Sequence, residues 1–253
     1  MKDWPEIKEW RKRTRVELVA RRAALSRETR RPWDECITEL IYGGFQVVSG
    51  MVVGFCWPYK GEFDSRFVIR RWRDEGAVAA LPEVVAKGQP LRFRKWWPGV
   101  PMTPGVYDIP VPVGTDIVMP DVAIVPMNGF DECGYRLGYG AGFFDRTLAA
   151  YDRRMLAIGV SYELLRLPTL YPQPHDVPMD FVVTEAGVHV SAHGKLVRLD
   201  PAQSRGCAAR ILQQRGLPRC GPVPPTGEFS SPPCYAGEFP GYWGEDHTPG
   251  KSS

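Results

Sequence analysis

"DVAIVPMNGFDECGYRLGYGAGFFDRTLAAYDRR", residues 121–154, is the stretch whose reading decides the fold. It opens on a short apolar run that stops at Pro126, as a buried strand does. It closes on "FFDRTLAAYDRR", whose spacing predicts a helix. Between the two, Gly134, Gly138, Gly140 and Gly142 crowd around Arg136 and Tyr139. Glycine forfeits more backbone entropy on folding than any other residue, so this density needs a reason. Strand, glycine-rich loop and helix together aim main-chain N–H groups at an anion, and glycine lets a phosphate approach the backbone. The helix N-terminus adds a partial positive charge. Arg136 can supply a bidentate charge-assisted contact. Asp145, in the first helical turn, suits a hard divalent cation beside a polyphosphate. The known phosphate motifs do not match: no Lys-Ser/Thr pair follows the glycines, and Gly138, Gly140 and Gly142 have the wrong period for a dinucleotide fingerprint. On pattern alone, a phosphate cradle and a tight structural turn with a favourable first-turn carboxylate both stand.

On either side the same alternation continues. "MVVGFCW", "AVAALP", "MLAIGV" and "DFVVTE" are strand-sized apolar runs. "DSRFVIRRWRDEG" reads as a helix ended by Gly76, "PLRFRKW" as a more exposed strand and "GVHV" as a small edge strand. Ahead of them, "IKEWRKRTRVELVARRAAL" places Ile7, Trp10, Thr14, Leu18 and Leu25 on one helical stripe, and a second helix is expected to start near Pro32 and end at Gly43–Gly44. Strands alternating with amphipathic helices predict an α/β fold: a mostly parallel central sheet with helices on both faces, in one catalytic domain over residues 1–199. Residues 83–120, with several prolines and Trp96–Trp97, fit less well and predict an irregular excursion. Residues 200–253 are rich in Pro, Gly and Ser and predict a flexible tail.

The chain has 253 residues and a formal net charge of +3, too little to indicate a nucleic-acid binder. The basic charge is nonetheless uneven, with Arg11, Lys12, Arg13, Arg15, Arg21, Arg22, Arg27, Arg30 and Arg31 near the N-terminus. No apolar run approaches the ~20 residues of a membrane span, and the N-terminus carries no signal-like apolar segment. Cys36, Cys56, Cys133, Cys207, Cys220 and Cys234 show no metal-site spacing and are expected as reduced thiols in the cytosol.

Parallel sheets bind ligands beyond the carboxyl ends of their strands. The loops "WPYKGEFD", "NGFDECGYRLG" and "SYELLRLP" therefore converge, with Trp57, Tyr59 and Glu62 on that edge. "PQPHDVPMD" precedes the last core strand and is placed less directly. Taken one by one, Glu62 reads as a solvated loop charge, Trp57 as core, Asp176 as a turn residue and the basic helix as a solvated face.

Together, "VPMNGFDECGYRLGYGAGFFDRTL", "KGEFD", "PHDVPMDFVVTE" and the basic helix, in that setting and order, resemble the 5-formyltetrahydrofolate cyclo-ligase family over about residues 7–190. The resemblance implies a cytoplasmic enzyme that uses ATP and Mg²⁺ to cyclise 5-formyltetrahydrofolate to 5,10-methenyltetrahydrofolate, with small-molecule partners and neither nucleic acid nor membrane. It implies that Arg11 and Arg15 meet the ATP phosphates. It wraps ATP in Arg136, Leu137, Gly138, Tyr139, Gly140, Ala141, Gly142, Phe143 and Phe144, with Arg136 and Asp145 as the catalytic pair. Trp57, Glu62, Tyr139 and Phe143 would contact the folate, and Asp145 and Asp176 the Mg²⁺. Arg11 stands where the family often has Lys, Ala141 where it has Gly or Lys, and Phe144 where it has Tyr. These departures leave open a paralogue with an altered substrate, or one that binds folate or nucleotide without catalysis.

Overall fold

The computed structural model describes residues 3–47, 49–150 and 155–217. Among the described residues there are five α-helices: α1 (Trp4–Ala23), α2 (Arg27–Gly44), α3 (Arg66–Asp74), α4 (Phe143–Ala150) and α5 (Pro201–Gln214). In chain order the strands are β1 (Val52–Phe55), β2 (Val78–Glu83), β3 (Arg92–Trp96), β4 (Met102–Pro104), β5 (Pro110–Pro112), β6 (Ile117–Val118) and β7 (Val122–Pro126). They continue with β8 (Gly129–Asp131), β9 (Arg136–Leu137), β10 (Leu156–Val160), β11 (Arg166–Leu167), β12 (Phe181–Thr184), β13 (Gly187–Ala192) and β14 (Lys195–Leu199).

Nine strands form one sheet in the order β14-β13-β12-β10-β7-β1-β2-β3-β6. The run from β12 through β10, β7 and β1 to β2 is parallel, and antiparallel pairs extend both edges. Both faces of the central strands are covered, which is why those strands read as continuous apolar runs. Val53, Ile124, Ile158 and Phe181 face the side that holds α2, α3 and α5, while Ala123, Val125, Ala157 and Val182 face the side that holds α4. Burying each large side chain such as Ile158, Phe181 or Trp72 stabilises the fold by roughly 1.5–3 kcal/mol.

The order of crossovers positions the site. From β1 the chain goes to β2 on one side, then returns to β7 on the other side and continues outward to β10 and β12. The loops after β1 and β7 therefore diverge from neighbouring strand ends, which opens a crevice at the switch point. Helix α1 lies along this edge. It starts at a capping box, Asp3 accepting from the Glu6 N–H at 2.9 Å and Glu6 from the Asp3 N–H at 3.0 Å.

Several expectations change. Helix α2 begins at Arg27, because the Ser26 hydroxyl caps the Thr29 N–H at 3.1 Å, and Pro32 sits inside it. "GVHV" is not an edge, since β13 pairs with the further strand β14. Residues 201–214, expected to open the tail, form α5. The Asp200/Gln203 capping box and Pro201 start it, and it packs on α2 with Ala208 in the core. The rest of the expected tail, 218–253, and the helical expectation over 151–154 lie outside the described residues. The 83–120 excursion contains β3, β6 and a small hairpin, β4–β5. Cys36, Cys56, Cys133 and Cys207 are free thiols, and Cys220 and Cys234 lie outside the described residues. Among the described residues no helix is long and apolar enough to cross a membrane.

Candidate active site

The crevice at the switch point is a cavity of about 220 Å³ lined by residues of α1, the β1 and β7 loops, the β4–β5 hairpin and the segment around Asp176. All fifteen residues singled out by the sequence reach its lining: Arg11, Arg15, Trp57, Glu62, Arg136, Leu137, Gly138, Tyr139, Gly140, Ala141, Gly142, Phe143, Phe144, Asp145 and Asp176.

Between β7 and α4 the chain is more structured than a plain glycine loop. Residues Gly129 to Leu137 form the β8–β9 hairpin. Buried Asp131 secures its turn by accepting from the Cys133 and Tyr135 N–H groups at 3.0 Å and from the Leu170 N–H at 3.0 Å. The hairpin delivers Arg136 to the cavity wall. Beyond it, Gly140 and Gly142 have φ of +97° and +66°, the left-handed region that favours glycine. Gly138 is different. A Cβ there would meet no heavy atom within 4 Å, so the protein's own packing does not require glycine. Its bare main chain borders open cavity, and its carbonyl accepts from Arg15 Nε at 2.7 Å. Phe143, Phe144 and Asp145, the first turn of α4, where helix N–H groups lack intrahelical acceptors, line the same cavity.

Two Arg–Asp pairs stand on the walls. Arg136 Nη2 contacts Asp145 at 2.8 Å, while Arg136 Nη1 donates to the Val177 carbonyl at 3.0 Å. The other Asp145 oxygen accepts from the Val177 N–H at 3.0 Å. Arg11 Nη2 contacts Asp176 at 2.6 Å and also donates to the Tyr171 carbonyl, with Arg11 Nε on the Leu170 carbonyl. Asp176, whose placement the sequence left least direct, thus faces the cavity beside the basic helix.

At the floor, Glu62 is 7% exposed, so the reading of it as a solvated loop charge fails. The Lys60–Gly61 turn, with φ of +46° and +78°, folds the chain back and buries the side chain under α1. One oxygen accepts from the Tyr139 hydroxyl at 2.8 Å and faces Arg22 at 3.5 Å, and the other accepts from the Tyr59 N–H at 3.1 Å. Burial pushes the Glu62 carboxyl up from its ordinary value, with Arg22, Tyr139 and the Tyr59 N–H opposing. Burial, with Glu62 nearby, also raises the Cys56 thiol and the Tyr139 hydroxyl, so both stay protonated near neutrality. Trp57 lies at the cavity edge with the Arg66 guanidinium 4.5 Å over its ring and Trp96 against it, so it is wall rather than core.

Arg22, Tyr107 and Trp4 were not singled out for the site. Arg11, Arg15, Leu18 and Arg22 share one face of α1 at steps of four, three and four, so an apolar stripe interrupted by arginines was the available signal. Tyr107 had none. It reaches the cavity because Tyr107 and Asp108, at the tip of the β4–β5 hairpin, both adopt positive φ, and its ring lies parallel to Tyr59 at 5.9 Å.

Among the described residues no group of three or more His, Cys, Asp or Glu side chains could hold a metal unaided. Two carboxylates on the wall of a cation-lined cavity suit Mg²⁺, which keeps several waters and is commonly held by one or two carboxylates plus substrate phosphates.

A family model described as the 5-formyltetrahydrofolate cyclo-ligase family matches residues 7–185. The 5-formyltetrahydrofolate cyclo-ligase of Mycolicibacterium smegmatis is 35% identical over 54% of this chain and 75% of its own length. That of Haemophilus influenzae is 24% identical over 67% of this chain and 94% of its own. The solved 5,10-methenyltetrahydrofolate synthetase of Aquifex aeolicus superposes with a TM-score of 0.60 at 27% identity, over 75% of this chain and 96% of that one.

Proposed function

We propose, from the premise that the chain belongs to the 5-formyltetrahydrofolate cyclo-ligase family, that it cyclises 5-formyltetrahydrofolate to 5,10-methenyltetrahydrofolate with ATP and Mg²⁺, releasing ADP and phosphate. The observation that carries the nucleotide half of this reading is Gly138. Its bare main chain faces open cavity between Arg15 and Arg136, with no packing reason of its own. A triphosphate seated there meets two guanidinium groups and the α4 N-terminus.

The chemistry needs what this site has. A formamide carbon is a poor electrophile and hydroxide a poor leaving group. The formyl oxygen attacks the γ-phosphorus and ADP departs, so that oxygen becomes a phosphate ester. N10 then attacks the formyl carbon, the C–O bond breaks, phosphate leaves with the oxygen, and N10 gives up its proton. The transferring group carries dispersed charge, so the protein's share is positioning and neutralisation. Arg11, Arg15 and Arg136 supply cations, and the 138–142 backbone shapes the cradle. Asp145 and Asp176 would hold Mg²⁺, which when bound neutralises the β- and γ-phosphate oxygens. Trp57, Tyr59, Tyr139 and Phe143 provide flat apolar surface for the ring system, and Glu62 accepts from adjacent N–H donors on its edge.

Incubation with ATP, Mg²⁺ and 5-formyltetrahydrofolate tests the proposal through the rise of methenyl absorbance with stoichiometric ADP. No rise across pH 6–8 (about the range of ordinary cytosolic enzymes) overturns it.

A further inference from the structure

One buried side chain outside the set above ties the two halves of the crevice together. Arg22 is 2% exposed and spends its guanidinium on four acceptors. Its Nε donates to the Lys60 carbonyl at 3.1 Å, in the strained turn that delivers Glu62 from the β1 loop. Its Nη1 donates to the Met127 carbonyl at 3.3 Å, where the β7 loop leaves the sheet. Its Nη2 donates to the Tyr139 hydroxyl at 3.0 Å and faces Glu62 at 3.5 Å. Tyr139 accepts from Arg22 and donates to Glu62, which fixes the direction of its hydroxyl and the tilt of its ring.

A planar fork with several fixed donors is what such an arrangement demands. A lysine in its place offers one ammonium, which cannot reach all four acceptors.

Resting on the functional reading above, we infer that Arg22 is a positioning residue for the reaction: it locks Glu62 and Tyr139 into one platform at the cavity floor, shaped for the edge and face of a flat heterocycle with adjacent N–H donors. Arg22 lies beneath the platform and acts through these two residues. Its removal therefore weakens the heterocyclic substrate and leaves the nucleotide end intact.

Arg22→Lys and Arg22→Met are compared with the unaltered protein in the methenyl assay, with KM measured separately for 5-formyltetrahydrofolate and ATP. Arg22→Lys is expected to fold and to raise KM for the folate roughly ten- to a hundredfold, as misplacing a binding group does. The KM for ATP stays within about twofold, since Arg22 holds the Tyr139 hydroxyl, whereas the nucleotide is assigned the main chain of the 138–142 cradle. In Arg22→Met the acid limb of kcat/KM for the folate moves to higher pH. Among the described residues the groups facing Glu62 are then Tyr139, the Tyr59 N–H and Cys56, and none replaces the lost cation. If Arg22→Met does not fold, Arg22→Lys alone decides through the KM split. Equal changes in both KM values, or an unchanged folate KM in a folded Arg22→Lys, overturn the inference. Absence of methenyl formation by the unaltered protein overturns the functional reading and the inference together, which separates the two failures.

Discussion

The Arg22–Glu62 pair at the cavity floor and the Arg11–Asp176 and Arg136–Asp145 pairs on its walls use the same chemical types in different settings. At the floor the two side chains are 2% and 4% exposed, and their charges meet at 3.5 Å with Tyr139 hydrogen-bonded to both. On the walls the contacts are direct, at 2.6 and 2.8 Å, and the carboxylates are 16% and 18% exposed; of their arginines Arg11 is 15% exposed and Arg136 only 4%, so the wet partner of the second pair is Asp145. A charge sealed from water cannot change partner without a large desolvation penalty, whereas one at a wet wall can. The floor therefore serves as fixed architecture. The walls hold charges that neutralise one another and, on the proposed function, a ligand carrying both phosphate and cation would give each a new partner.

Breaking the floor pair separates these roles most sharply. Glu62→Ala leaves the Arg22 cation buried without its counter-charge and is expected to lower the unfolding free energy by about 3–5 kcal/mol. Asp176→Asn, at a wetter pair, is expected to cost no more than about 1–2 kcal/mol. Urea titrations read both. An equal loss in the two variants would erase the distinction between floor and wall.

The next effect concerns nucleotide. If the wall carboxylates occupy arginines that phosphate must recruit, Asp176→Asn and Asp145→Asn bind metal-free ATP more tightly than the unaltered protein, by roughly fivefold to tenfold, the scale of about 1 kcal/mol. Their affinity for ATP no longer improves when Mg²⁺ is added. Calorimetry in chelator and then in Mg²⁺ reads both changes. Weaker binding of metal-free ATP by both variants would show that these carboxylates do not compete with phosphate.

A smaller effect distinguishes the glycines. Gly138→Ala adds a methyl group to open cavity, so stability changes by no more than about 0.5 kcal/mol, while ATP binding weakens severalfold. Gly140→Ala is forced at φ +97° and destabilises by about 1 kcal/mol or more. Thermal unfolding and nucleotide titration of the two variants give opposite rankings if a ligand, rather than the turn, requires Gly138.

Much of this was legible in the residues. The parallel core strands announced themselves as apolar runs, and the chain order of their loops placed Trp57, Tyr59 and the glycine stretch on one edge. Glu62 misled because burial was judged from its own polarity, while the Lys60–Gly61 turn and Arg22 make burial tolerable. Arg22 was passed over for the complementary reason: despite its place on the apolar stripe of α1, a cation on a basic helix reads as solvated until its buried acceptors are known. Helix α5 was hidden by the Pro- and Gly-rich composition that follows it, although Asp200, Pro201 and Gln203 form an N-terminal signature. Tyr107 depended on two consecutive positive-φ residues that no local pattern encodes.

The floor also carries a pH signature that the walls need not share. Burial, opposed by Arg22, Tyr139 and the Tyr59 N–H, leaves the Glu62 carboxyl titrating above the 4.5 of an ordinary glutamate. Between that ordinary value and the folded one, the native state binds this proton more strongly than the unfolded chain does. The Glu62 contribution to stability is thus fully present below pH 4.5 and declines as pH rises through the folded value. Glu163 has the opposite sign. Burial raises its carboxyl, but Arg166 and Thr184 outweigh burial and lower it, so its contribution is present above the ordinary value and lost as pH falls. Glu62→Gln should therefore flatten a decline in stability toward neutral pH, and Glu163→Gln should flatten a loss toward acid. Urea midpoints measured from pH 4 to 7 (about the span that brackets these carboxyls) read both slopes. If Glu62→Gln left the slope unchanged, the floor carboxylate would be no costlier to ionise than one in water, and the floor would be as exchangeable as the walls.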